Sequence, residues 1–248
     1  CEEAGESPVS PSRVGALFMT MYLTDPLEAE PGTAAVGGGH VTDSRDGGFY
    51  RTHGKRFLDI LLVLILAPIV APLVVLMALL VACDGASPFY WQERVGRNGR
   101  VFRLLKLRTM VPDADRLLEE HLRDSPEARR EWDAKQKLSH DPRVTLLGQA
   151  LRKSSMDELP QVWNVIRGEM SLIGPRPMMV DQKALYPGLA YYDLRPGITG
   201  PWQVSARNQS SFAERATFDA TYHERLSLRL DMAIPMRTVG VVLRGTGC

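Results

Sequence analysis

Twenty-three consecutive residues without a charge, Ile60 to Ala82, constrain this chain more than any other feature. A straight helix of that length would run about 34 Å, enough to cross a hydrocarbon core of roughly 30 Å. Two observations argue against a simple crossing. Pro68 and Pro72 lie mid-run, four residues apart. Each removes a backbone donor and clashes with the preceding turn, so the helix is expected to bend there. The flanks are also basic at both ends, with Lys55 and Arg56 before the run, and Arg94, Arg97, Arg100, Arg103, Lys106 and Arg108 after it. Positive flanks favour the cytoplasmic side. If both ends stay there, the segment enters the bilayer and returns as a re-entrant hairpin. A kinked single span is the competing reading.

The remainder divides around that run. Residues 1–52 are rich in Gly, Pro, Ser and acidic residues and read as a flexible lead segment. Cys1 is not an initiator, and Met19 or Met21 is a plausible start, so residues 1–18 carry no functional weight. Residues 53–84 are read as the membrane segment and 85–248 as the domain that follows it, expected on the cytoplasmic side. Net charge is only +1, so whole-chain charge selects no partner. The basic run 94–108 interleaves Val95, Val101, Phe102, Leu104 and Leu105 directly after a membrane segment. That context favours anionic headgroups over nucleic acid. Three distant cysteines, Cys1, Cys83 and Cys248, show no zinc or redox spacing.

Charged helical sequence covers 113–138 with a break near Pro126, and a second helix is expected from Thr145 to Lys153. Val162 to Arg167 reads as a helix stopped by Gly168, and 212–243 as helix interrupted at Pro235. Asp157-Glu158 is the first candidate for chemistry. Adjacent carboxylates suit phosphoryl transfer, one attacking phosphorus and the other holding a divalent metal. Ser155 followed three residues later by Glu158 is also a capping box, a purely structural role. Arg152, Arg176, Arg195 and Arg207 fall near Gly- and Pro-rich turns, where guanidinium groups can converge on phosphates; a solvated surface is the ordinary alternative. Neither nucleotide fingerprint, the P-loop nor G-x-G-x-x-G, is present.

Several strings, in order, go further. They are Lys55-Arg56-x-x-Asp59, Lys106-Leu107-Arg108-Thr109-Met110, Asp141-Pro142-Arg143-Val144-Thr145, and Leu151-Arg152 leading into Met156-Asp157-Glu158-Leu159-Pro160-Gln161. Asn164 through Pro177, Arg195-Pro196-Gly197-Ile198-Thr199-Gly200 and Trp202 through Asn208 follow. From about Lys55 to the C-terminus the chain resembles the bacterial sugar transferase family, the monotopic polyprenyl-phosphate phosphoglycosyl transferases. It looks like their compact exopolysaccharide-type members, without the large N-terminal membrane domain of some relatives.

The resemblance implies a mainly α fold with few short strands, a re-entrant membrane helix bent at Pro72, and a catalytic domain on the cytoplasmic face of the inner membrane. It implies Asp157 as nucleophile and Glu158 as ligand to Mg²⁺. The substrates it implies are a nucleotide sugar (UDP-linked, with galactose or glucose favoured) and undecaprenyl phosphate. Membrane lipids are the other expected partners, and homo-oligomer formation is left open. Departures from the family pattern are Pro68, Ala71 where serine is common, Ala206 where glycine is frequent, and Pro235. Two other classes stay open: a membrane-attached nucleotide-sugar hydrolase and a non-catalytic membrane scaffold.

Overall fold

The computed structural model of the chain describes residues 46–135, 138–205, 212 and 214–243. By internal contacts the chain divides at Asp43–Ser44, and the described residues all belong to the unit Ser44–Cys248. Among them the fold is mostly helical with few short strands. After a π-helical turn, Tyr50–Gly54, comes α1 (Lys55–Val81), then β1 (Phe89–Val95) and β2 (Val101–Leu107). The helices α2 (Ala114–Asp124), α3 (Pro126–Lys135) and α4 (Leu146–Ser154) follow, then a 3-10 turn, Met156–Gln161, and α5 (Val162–Arg167). β3 (Ser171–Ile173), α6 (Ala190–Asp193), β4 (Gly197–Thr199), α7 (Pro201–Ser205), α8 (Arg215–Arg225) and α9 (Leu228–Leu243) complete the order.

Helix α1 is long and apolar enough to cross a membrane. It stays helical through Pro68 and Pro72. No residue from Leu64 to Met77 is buried. Leu64, Ile69 and Val75 are 64%, 70% and 58% exposed. Both ends, however, rest on the same body. Near the start, Val63 joins a core with Phe102, Leu104, Val165 and Met170. At the end, Ala78 and Val81 join Leu107 and Leu151, with Met156 packed against them.

Polar contacts pin the two ends as firmly. Lys55 Nζ lies 2.7 Å from Asp231 Oδ2 of α9, whose carboxylate also accepts from the Tyr50 and Tyr222 hydroxyls. Arg56 donates to the Val165 and Ile166 carbonyls in the last turn of α5. The Asp59 carboxylate accepts from Ser171 Oγ and the Leu172 N–H. At the far end Arg108 donates to the Val81 carbonyl and to Asp84.

The basic run 94–108 turns out to be an antiparallel β-hairpin, with Arg94 opposite Phe102 and Tyr90 opposite Lys106. Its turn places Asn98 and Gly99 at φ 58° and 72°. Asn-Gly is a strong hairpin signal that the emphasis on charge obscured. Asn164 of α5 is fully buried against β2. Its amide accepts from the Leu105 N–H and donates to the Arg103 carbonyl and Glu169. The other sheet is parallel, Ser171 opposite Gly197 and Ile173 opposite Thr199. Here Gly174, Gly197 and Gly200 touch backbone to backbone. A Cβ on Gly200 would fall 1.9 Å from the Gly174 carbonyl oxygen, so the two motifs interlock only as glycines.

Two local expectations need correction. The C-terminal helix runs through Pro235, and the break falls between α8 and α9 at Leu226–Ser227. A proline removes one donor, and the flanking turns keep their bonds, so it need not end a helix. The capping box does not form either. Ser155 takes φ 57° in the left-handed region and closes α4, with no side-chain cap bond. Asp157 and Glu158 therefore sit in a 3-10 turn of six residues.

Candidate active site

Asp157 is brought to its place by its neighbours. Met156 packs under the last turns of α1. Strand β2 lies alongside the 3-10 turn and directs Lys106 at both carboxylates, 2.8 Å from Glu158 Oε1 and 3.9 Å from Asp157 Oδ2. Asp157 is only 8% exposed. Burial pushes its carboxyl above the ordinary value, Lys106 pulls it back, Glu158 raises it and Arg152 lowers it.

Arg152 is oriented by Thr109, whose Oγ1 accepts from Nε at 2.9 Å. Helix α4 begins with Thr145 as N-cap, its side chain accepting from Gly148 N. A Cβ on Gly148 would meet the Thr109 carbonyl oxygen at 2.0 Å, so the close approach of α4 to Thr109 depends on that glycine.

Beside Glu158 opens a cleft walled by Arg94, Lys106, Gln161, Arg176, Ile198 and Gln203. The structure thus gathers Arg152 and Arg176 around the acidic pair. Arg195 lies elsewhere: its Nε donates to the Gly168 carbonyl, and its charged neighbours are Arg97, Arg56 and Asp59. Arg207 lies outside the described residues. Among the described residues no third His, Cys, Asp or Glu joins Asp157 and Glu158.

Lys106 and Arg94 escaped the sequence reading as site residues. Both belong to the stretch assigned to headgroups. In β2, Lys106 shares the parity of the buried Phe102 and Leu104. Alternation along a strand was the available signal, because residues two apart share a face.

An acidic pair, Asp157 buried and Glu158 half-buried, beside a cleft with cations in excess is an arrangement that suits phosphorylated, strongly anionic ligands. The chain belongs to the bacterial sugar transferase family, whose model matches residues 50–245. It is 47% identical over 201 residues to a UDP-galactose-lipid carrier transferase of Erwinia amylovora, covering 79% of this chain and 42% of that protein. It is 45% identical over 196 residues to the exopolysaccharide production protein ExoY of Sinorhizobium fredii, covering 78% of this chain and 87% of the relative. An undecaprenyl-phosphate galactose phosphotransferase of Salmonella typhimurium is 42% identical over 195 residues, 78% of this chain and 41% of that protein. The chain thus spans most of the Sinorhizobium protein and about two fifths of the other two. Family and apolar helix together mark a membrane-associated member of the bacterial sugar transferases.

Proposed function

We propose that the chain transfers a sugar-1-phosphate from a UDP-sugar to undecaprenyl phosphate through a covalent intermediate on Asp157. One observation carries the reading: a buried carboxylate, faced by Lys106 and Arg152, at the foot of an exposed apolar helix. The Asp157 carboxylate oxygen attacks the sugar-bearing phosphorus. The bond from that phosphorus to the bridging oxygen breaks, and uridine monophosphate leaves with the electron pair. A lipid phosphate oxygen then attacks the same phosphorus, and the Asp157 carboxylate is released. Splitting the transfer suits substrates that arrive from water and from lipid.

Lys106 and Arg152 hold Asp157 ionised against its burial, and Arg176 faces the incoming phosphates. Two adjacent carboxylates match the way Mg²⁺ is held, through one or two carboxylates plus substrate phosphates. Glu158 would be its ligand, and the ion would supply charge neutralisation at the diphosphate. Arg195 stands apart from the cleft, grouped with Arg56 and Arg97, and is kept as a phosphate contact without a position at Asp157. A donor screen with radiolabelled UDP-galactose and UDP-glucose, with and without undecaprenyl phosphate, tests the reading. Label must move to lipid. Sugar phosphate released into water with no lipid added would point instead to a hydrolase.

The proposal places α1 as a re-entrant helix, with the domain on the cytoplasmic face. The support is that both ends contact one body while the middle holds no buried residue. In a background with the native cysteines replaced, Gly54→Cys and Ala86→Cys should both be labelled from the cytoplasmic side only. Periplasmic labelling of either removes the hairpin.

The titration of Asp157 gives a further expected result. Attack requires the carboxylate, so the rate falls as pH drops through its pKa, which burial has raised. Lys106→Gln removes the largest opposing influence. The acid limb of the kcat/KM profile should then move to higher pH. A limb that stays in place, or moves down, denies Asp157 this role.

A further inference from the structure

Arg94 projects from β1 into the cleft beside Arg176. Its only hydrogen-bond partners among the described residues are neutral oxygens, the Pro177 carbonyl and the Gln92 amide. Its Nε is buried and has no partner among them. Arg94 and Arg176 form no ion pair with a described carboxylate, and the nearest acid on the cleft wall, Glu158, is already bonded to Lys106 at 2.8 Å. Behind them Arg215 lies among the rings of Tyr191, Trp202 and Phe212. Its carboxylate neighbour Asp219 stands 3.8 Å away. Burial, and next the charge of Arg176, depress Arg94 to about 10, so it stays protonated at neutral pH. Two unneutralised guanidiniums side by side in a partly buried cleft are costly until an anion joins them. Each retains N–H donors in the planar fork that suits phosphate oxygens.

We propose that Arg94 is a donor-binding residue that, together with Arg176, clamps the diphosphate of the nucleotide sugar. This rests on the reading of the chain as a UDP-sugar-dependent transferase. A diphosphate brings two adjacent charged groups to two adjacent cations, whereas the lipid acceptor brings a single phosphate. Arg215 stands behind the pair: it adds positive field but lines no part of the cleft.

The test uses the full chain in detergent with Mg²⁺, titrated calorimetrically with UDP and with inorganic pyrophosphate, alongside steady-state kinetics in both substrates. Arg94→Gln should weaken both ligands about tenfold or more, the loss expected for one charge-assisted hydrogen bond. KM for the UDP-sugar should rise by a similar factor, while KM for undecaprenyl phosphate stays within about twofold. Arg94→Lys, which keeps the charge but loses the fork, should fall between, and it serves if the glutamine variant does not fold. Unchanged UDP affinity in both variants, with only the melting temperature altered, would make Arg94 structural and overturn the inference. A rise confined to the lipid KM would overturn it by placing Arg94 at the acceptor. Wild-type chain that binds neither UDP nor pyrophosphate would defeat the donor reading itself, and with it this assignment.

Discussion

Asp157→Asn should lower turnover by at least about a thousandfold, as loss of a covalent nucleophile does elsewhere. Its effect on stability should stay within roughly 1 kcal/mol, because the substitution keeps the shape of the side chain and leaves packing intact. The structure makes that separation sharper. Asp157 caps no α-helix here, since Ser155 closes α4 and the pair lies in a short 3-10 turn. Lys106 would retain its 2.8 Å partner Glu158, so no cation is stranded. Wild-type chain with labelled donor, Mg²⁺ and no lipid should release about one equivalent of uridine monophosphate. The label should remain on a peptide that contains Asp157. Label on another residue, or a substantially active Asp157→Asn, would remove Asp157 as nucleophile. Full activity in chelator would remove the metal role given to Glu158.

Asn164→Ala should be the most damaging substitution for stability, at about 3 kcal/mol. Asn164 is 0% exposed and spans two elements. Its loss strands the Leu105 N–H and the Arg103 carbonyl on β2, and it leaves Glu169 short of a donor. Buried groups without partners incur the desolvation penalty in full, which is why the cost exceeds that of one ordinary hydrogen bond. For a folded unit of this size the melting midpoint should fall by on the order of 10 °C, measured by thermal denaturation in detergent. Because β2 also carries Lys106, residual activity at low temperature should fall as well. A midpoint within a degree or two of wild type would mean that α5 does not hold β2 in place.

The limits of the sequence reading show at particular residues. The headgroup assignment for 94–108 treated charge as a one-dimensional property. The hairpin distributes those charges: Arg94 and Lys106 to the cleft, Arg108 to the end of α1. The capping-box reading of Ser155 and Glu158 was chemically sound, yet the left-handed turn at Ser155 and the ion pair with Lys106 took both residues for other work. Tertiary contacts outweighed a local preference of about 1 kcal/mol. Arg195 sits in a motif of the expected kind, yet its Nε completes the backbone bonding at Gly168.

What sequence determined by itself was whatever depends on near neighbours or on strings of residues. Composition marked α1 as a membrane segment. Thr145 began α4, Gly168 ended α5 at φ 80°, and the ordered motifs were sufficient for the family. Tertiary structure alone decided which distant groups meet. Lys106 and Glu158 are 52 positions apart, Lys55 and Asp231 176, and Arg94 and the Pro177 carbonyl 83. Such pairings follow from which face of a strand or helix is buried and against what, and local periodicity narrows those choices without naming the partner. The joining of both ends of α1 to one body belongs to the same class. It depends on cores that Val63 and Val81 share with residues far along the chain, and no window of sequence around Pro68 and Pro72 contains them.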